Sequence, residues 1–289
     1  MTRIELDNYD KKEEREMERP SLEFIDLRIE DRVAFAFLNR PEKLNALNEK
    51  LWFEIGELAD WVSESKEVRA LILSGHGGNF TAGIDLKFVM EMQNRYFTDP
   101  EGVRQEHLRT YIGKLQASFN ALRNCEKPTI AAIHGHCIGG GVDLITAFDL
   151  RYGTKGSTFS VKEVDLGIVA DIGTLQRLPL FIGEAKTREL AFTARNFDGA
   201  EAHRLGLLND CFETPEEMSE ACKKMAKQIA SKSPLTIRGI KKVLNYNEDR
   251  NLKDGLDYVA NWNAASLFSD DLKEAFSAYM EKRMPEFKD

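Results

Sequence analysis

Between Leu22 and Leu38 the apolar residues fall into two short runs, roughly 22–29 and 33–38, separated by the polar Glu30-Asp31-Arg32; the pattern predicts a β-hairpin. After Asn39-Arg40-Pro41 the period changes. Leu51, Ile55, Leu58, Ala59 and Val62 recur at helical spacing, and Arg69 to Ser74 then reads as a buried strand, which completes a βα unit. A glycine-rich loop, Gly75 to Gly83, leads into helical stretches up to about Arg123, with Tyr111, Leu115, Phe119 and Leu122 on one face, and a strand from Thr129 to Ile133 follows. A third passage runs from the glycines at 139–141 through a helix to a short strand near Leu150–Gly153. Beyond about Asp198 strand signals fade, and 215–231, 234–246, 251–268 and 270–283 all read as helices. Strands that alternate with helices need crossover connections, so the expected class is α/β with a largely parallel sheet and a helical tail.

Residues 1–20 are densely charged and end at Pro20, which predicts an exposed arm outside the core. The remainder divides by pattern into a core that carries the site, 21–200, and a helical region, 201–289. A chain of 289 residues with 42% hydrophobic content can bury a substantial interior. Its net charge of -8 argues against a nucleic-acid partner, because phosphate neutralisation needs an excess of Lys and Arg. The four cysteines, Cys125, Cys137, Cys211 and Cys222, form neither a CxxC pair nor a dense disulfide framework, so an intracellular, reducing compartment is expected. No apolar run reaches the eighteen or so residues of a membrane span. The first nineteen residues, with seven acids and five bases, resemble neither a signal peptide nor an acid-poor transit peptide.

Three segments can carry chemistry. In Asn79-Phe80-Thr81-Ala82-Gly83-Ile84-Asp85-Leu86 a turn of small residues can aim a backbone N–H into a cleft and polarise a carbonyl oxygen, though an ordinary βα connection has the same look. In His134-Gly135-His136-Cys137-Ile138-Gly139-Gly140-Gly141-Val142-Asp143-Leu144 three glycines open a helix, which suits close approach of a ligand or tight helix–strand packing. The run is neither GxGxxG nor a phosphate-binding P-loop. In Val161 to Pro179, Glu163 and Asp171 sit among apolar residues that would raise a carboxyl pKa, while Asp165 reads as a surface charge; each acid singly also fits a paired or capping role. His134, His136 and Cys137 lack a fourth ligand at metal-site spacing, and without a GxSxG elbow a serine hydrolase is not expected.

In order, spacing and local sequence these segments resemble the enoyl-CoA hydratase/isomerase (crotonase) superfamily, from about Leu22 to Phe268. The likeness includes Leu38-Asn39-Arg40-Pro41-Glu42-Lys43-Leu44-Asn45-Ala46-Leu47, Ala82-Gly83-Ile84-Asp85-Leu86, Gly139-Gly140-Gly141 and Gly173-Thr174-Leu175-Gln176-Arg177-Leu178-Pro179. The resemblance implies a crotonase-like (ClpP/crotonase) spiral of ββα units, with the C-terminal helices assembling a homotrimer or a homohexamer of two trimers. It implies an acyl-CoA thioester substrate, no cofactor beyond the CoA of that substrate, and an oxyanion hole made by the N–H groups of Ile84 and Gly140. Ala82, Gly83, Ile84, Asp85, Leu86, Gly140 and Gly141 would form the substrate loops, and Asp143, Glu163 and Asp171 the catalytic acids.

Within the superfamily, Gly139-Gly140-Gly141-Val142-Asp143, Val161-Lys162-Glu163-Val164-Asp165 and Ala170-Asp171-Ile172-Gly173 resemble the branch that isomerises 3,5-dienoyl-CoA to 2,4-dienoyl-CoA. A hydratase would carry Glu at 143 and Gly at 171. The implied reaction, a step in the β-oxidation of unsaturated fatty acids, moves a proton from C2 to C6. Glu163, initially ionised, would take the proton from C2 and Asp171, initially protonated, would give one to C6, while Asp143 tunes or orients the site. An enoyl-CoA hydratase and a non-catalytic RNA- or protein-binding homologue are the alternatives. Arg40 and Lys43 are candidates for the CoA phosphates or plain loop charges. The resemblance places the protein in a peroxisome or mitochondrion, yet no targeting signal is visible and the last residues, Phe287-Lys288-Asp289, are not of the SKL type; a cytoplasmic location stays open.

Overall fold

The structure, a computed structural model, describes residues 18–288, so the charged arm expected over 1–20 lies outside the described residues except at its last three positions. Strands β1 (Ile25–Glu30) and β2 (Val33–Leu38) form the expected antiparallel hairpin, pairing Glu30 with Val33 across the two-residue turn Asp31-Arg32. Both turn residues are left-handed, φ 51° and 63°, the hand that matches the twist of the flanking strands. Helix α1 (Glu49–Glu64) is capped by the Asn48 side chain, which accepts from the Leu51 amide at 2.9 Å.

Strand β3 (Ala70–Gly75) lies parallel to β2; after it come α2 (Leu86–Tyr96) and the long α3 (Glu101–Asn124). Strand β4 (Thr129–Ile133) pairs parallel with β3. Next come β5 (His136–Ile138), α4 (Gly140–Thr146), β6 (Leu150–Thr154) and β7 (Thr158–Ser160). Then follow α5 (Thr174–Ile182), α6 (Glu184–Thr193), β8 (Phe197–Asp198), α7 (Gly199–Leu205) and β9 (Asp210–Phe212). Helices α8 (Pro215–Ala230), α9 (Pro234–Tyr246), α10 (Leu252–Ser266) and α11 (Asp270–Glu281) complete the described chain.

The large sheet has the order β1-β2-β3-β4-β6-β9 and is parallel apart from the hairpin; a small second sheet, β5-β7-β8, stands beside it. Alternation along the strands sends side chains to two cores. Ala34, Ala36, Leu38, Leu71, Leu73, Ala131 and Ile133 join the apolar stripe of α1 and the Tyr111, Leu115, Phe119 and Leu122 face of α3. Val33, Phe35, Ala70, Ile72, Ile130, Ala132 and Tyr152 meet Met218, Cys222, Ala226 and Ala230 of α8.

Residues 201–230 therefore join the core instead of standing with the helical tail: β9 extends the main sheet and α8 covers its second face. Strands of two or three residues, such as β5, β7, β8 and β9, are too short to show a period and were not expected from the sequence. Helix α9 is anchored to the core by Lys241, whose Nζ donates to the Lys127 carbonyl at 3.0 Å and to Asp149 at 2.6 Å.

Candidate active site

The Leu38–Leu47 segment is a brace for the loop after β3. Buried Asn45, at φ 54°, accepts the Arg40 N–H on Oδ1 (2.9 Å) and donates from Nδ2 to the carbonyls of His76 (3.0 Å) and Asn79 (2.8 Å). Thr81 Oγ1 donates to the Asn45 carbonyl (2.7 Å) and accepts from the Gly83 N–H (3.1 Å). The Leu47 N–H donates to the Gly83 carbonyl (2.8 Å), and the Asp85 N–H donates to the Leu47 carbonyl (3.0 Å). The amide between those two bonds, that of Ile84, has no protein acceptor among the described residues.

A second loop lies against the first. The Ile138 N–H donates to the Thr81 carbonyl (3.2 Å), and the Gly139 N–H donates to the Ser160 carbonyl (2.9 Å). Gly83 has φ +90°, and a Cβ there would lie 2.4 Å from the Ile138 carbonyl oxygen and 3.6 Å from the Gly140 nitrogen, so only glycine lets the two loops touch. The Gly140 amide opens α4 and likewise has no protein acceptor among the described residues. Two backbone donors without a protein acceptor thus border one cavity of about 250 Å³ whose lining includes Ala82, Gly83, Ile84, Leu86, Gly139 and Gly140.

Three carboxylates share the lining. Asp143, on α4, is buried and accepts the Thr174 N–H at 2.8 Å; burial pushes its carboxyl up to about 6, against the pull of Arg177. Glu163, at the start of a 3-10 turn, sits against Gly139, where an added Cβ would come 3.2 Å from Oε1. Its Oε2 is buried without a partner, and burial, followed by the negative charges of Asp143 and Asp171, pushes the carboxyl up to about 7.

Asp171 differs from the sequence expectation of an acid enclosed by apolar residues. Its neighbours Ala170 and Ile172 are buried, but Asp171 itself is exposed where it lines the cavity, as are Leu166 and Ile168. Partial desolvation still raises its carboxyl. Its charge in turn helps to raise the carboxyl of Glu163, after burial and the charge of Asp143.

Of the loop residues singled out in the sequence, Ala82, Gly83, Ile84, Leu86 and Gly140 line the cavity, whereas Asp85 and Gly141 stand behind its wall. Asp85 caps α2 through the Lys87 N–H (3.0 Å) and pairs with Arg40 at 3.1 Å. Arg40 also donates to the Ala46 carbonyl and lies over the Phe24 ring, so it serves the loop brace and is not a free cation for CoA. Gly141 faces Thr81 and Cys137. Trp52, Ile138, Lys162, Leu166, Ile168 and Ile172 line the cavity without having been singled out. Trp52 carries no local sequence signal for this, since its place depends on stacking with Phe119 at 4.5 Å and donation to the Leu115 carbonyl at 3.0 Å, both on α3. Among the described residues no group of three or more His, Cys, Asp or Glu side chains could hold a metal ion.

The two raised acids make stability depend on pH. Protons bind Asp143 and Glu163 more tightly in the folded state than at their ordinary values of 3.8 and 4.5. The resulting stabilisation is complete below about pH 4 and is lost as the pH rises through about 6 to 7. Glu163→Gln cannot ionise. Thermal unfolding is expected to show it ~1–3 kcal/mol more stable than the parent at pH 8, with the difference gone at pH 4; equal gains at both pH values would remove the ionisation of Glu163 as the cause.

The parallel sheet, the two abutting glycine loops with free amides and the acid-lined cavity define a protein built to receive a carbonyl oxygen and move protons beside it. The enoyl-CoA hydratase/isomerase family model matches residues 28–289, and the chain belongs to that family. It is similar to the peroxisomal Δ(3,5)-Δ(2,4)-dienoyl-CoA isomerase of Arabidopsis thaliana, 46% identical over 268 residues, which cover 92% of this chain and 96% of that protein. The mitochondrial Δ(3,5)-Δ(2,4)-dienoyl-CoA isomerase of Homo sapiens is 42% identical over 274 residues, 92% of this chain and 82% of that protein. A crystal structure of enoyl-CoA hydratase from Bacillus anthracis matches with a TM-score of 0.83 at 28% identity, covering 92% of this chain and 99% of that one.

Proposed function

We propose that the protein isomerises 3,5-dienoyl-CoA to 2,4-dienoyl-CoA within the β-oxidation of unsaturated fatty acids, with no cofactor beyond the CoA of its substrate. The observation that carries this reading is the placement of Glu163 and Asp171 on one cavity whose wall holds the Ile84 and Gly140 amides, neither paired with a protein acceptor among the described residues. The thioester oxygen accepts from both amides, which become stronger partners as negative charge develops on it. Glu163 takes a proton from C2, and the electron pair delocalises over C1 to C6 and the oxygen. Asp171 delivers its proton to C6, the C5=C6 pair forms the new C–H bond, and the double bonds settle at C2=C3 and C4=C5.

Asp143 keeps its hydrogen bond to Thr174 and acts on the reaction through its charge beside Glu163. A hydratase reading needs that carboxylate to hold a water for attack, a role its bond to Thr174 does not favour. The productive state has the proton on Asp171. An acyl chain filling the apolar cavity strips water from around Asp171, which raises its carboxyl further and favours the proton it delivers.

A trimer or a hexamer of two trimers is proposed for the assembly, supported by the exposed apolar side chains of the tail, among them Leu244, Phe268, Phe276, Tyr279 and Met280. Peroxisomal and mitochondrial relatives support one of those compartments. Among the described residues no helix is long and apolar enough to cross a membrane. The test is direct: purified protein with 3,5-octadienoyl-CoA is expected to generate the conjugated absorbance of the 2,4-dienoyl thioester. Formation of 3-hydroxyacyl-CoA from a 2-enoyl-CoA in its place would overturn the isomerase reading.

A further inference from the structure

We infer that Gln116 of α3, with Arg177 of α5, is a positioning residue that fixes where the dienolate receives its proton, at C6 instead of C4. The inference rests on the proposed isomerase reading. Asp171 has little packing of its own: it is exposed and follows the exposed run Leu166, Ile168 and Val169. What holds it is a set of bonds to the main chain on either side. Gln116 Nε2 donates to the carbonyl of Asp171 itself at 2.6 Å. Arg177 Nη2 donates to the next carbonyl, that of Ile172, at 2.9 Å. Two residues further on, the Thr174 N–H is held by Asp143 at 2.8 Å.

The Arg177 guanidinium is fixed in turn by Asn120 Oδ1 (3.0 Å), one turn beyond Gln116 on the same helix, and by Thr146 Oγ1 (3.2 Å) at the end of α4. It reaches Ile172 because residue 173 is glycine at φ +120°; a Cβ there would lie 2.1 Å from Nη2. Neighbouring residues of α3 therefore clamp the loop that bears one acid, and the same guanidinium ties it to the helix that bears Asp143.

The regiochemical consequence follows from the dienolate. A proton delivered to C6 uses the C5=C6 pair and yields the 2,4-diene. A proton delivered to C4 uses the C3=C4 pair, leaves C5=C6 in place and yields the 2,5-diene. Both products balance, so what selects between them is the distance of the acid from each carbon, which a shift of about 1 Å in the loop alters.

The test compares wild type, Gln116→Leu, which keeps bulk and removes the donor, and Gln116→Lys, which keeps a donor at similar reach, on 3,5-octadienoyl-CoA in D2O, with products and C2 deuteration read by NMR. For Gln116→Leu the expected result is a rise of at least about fivefold in the share of 2,5-dienoyl product and a fall of about tenfold in kcat, with KM and C2 exchange near wild type; Gln116→Lys stays near wild type. An unchanged product ratio in Gln116→Leu, or loss of C2 exchange in step with isomerisation, overturns the inference in favour of a general structural role. Absence of any 2,4-dienoyl product from wild type would overturn the isomerase reading as well, and the two failures are distinguishable because wild type is measured alongside.

Discussion

Asp171→Asn is expected to lower formation of 2,4-dienoyl-CoA by about 10²- to 10⁴-fold while C2 protons continue to exchange with solvent, and Glu163→Gln is expected to lose both processes by a similar factor. The contrast follows from where the two acids stand. Glu163 is buried against Gly139, beside the loops that carry the Ile84 and Gly140 amides, and the proposed mechanism therefore sets it at C2. Asp171 lines the same cavity but is exposed, and in the proposed mechanism it serves C6, farther along the acyl chain. Removing the far acid leaves enolisation intact and strands the dienolate, which can then only take its proton back at C2. Removing the near base prevents the dienolate from forming.

Incubation of each variant with 3,5-dienoyl-CoA in D2O, followed by NMR at C2 and absorbance for the conjugated product, separates the cases. Loss of C2 exchange in Asp171→Asn would reverse the roles of the two acids. Retention of isomerisation in both variants would remove them from the mechanism. The amide substitutions are nearly isosteric, so the comparison is not confounded by repacking.

The sequence made most of this architecture legible where the period was long and the segment buried. The stripe Leu51, Ile55, Leu58, Ala59, Val62 could only be one face of a helix, and the apolar runs around 70–75 and 129–133 became the central parallel strands. The glycine at 83 marked a place where two stretches of backbone come close, because a Cβ there has a steric cost that shows as a residue type. Less legible were features created by three-dimensional approach. Asp210–Phe212 pairs with β6 through main-chain bonds that leave no hydrophobic pattern in three residues. Arg40 looks the same in sequence whether it binds a phosphate or pairs with Asp85, and only the folded loop decides. The apolar neighbours of Asp171 suggested an enclosed acid, yet Ala170 and Ile172 are buried while Asp171 is exposed, a distinction that depends on loop conformation and not on composition.

The proposed oxyanion hole is made of main chain, so it is best attacked through the conformation that supports it. Gly83→Ala is expected to lower kcat by about 10²- to 10³-fold, the scale seen when one donor to a developing oxyanion is lost. Alanine at φ +90° is strained, and its methyl carbon would need to occupy a point 2.4 Å from the Ile138 carbonyl oxygen. That clash sets a Cβ, which has no rotamer to change, against a backbone oxygen. The loop must swing away from the second loop, which moves the Ile84 amide off the thioester oxygen while Glu163 and Asp171 remain on their own segments. Because the bonds from Thr81 to Asn45 and from the Leu47 amide to Gly83 share this turn, a loss of stability of about 1–3 kcal/mol is expected with it, measurable by denaturant unfolding. Activity should therefore be compared well below the unfolding midpoint, with folded fraction monitored. If the folded variant turned over 3,5-dienoyl-CoA within about threefold of wild type, the Ile84 amide would not be a donor that the transition state depends on, and stabilisation of the enolate oxygen would have to come from Gly140 alone.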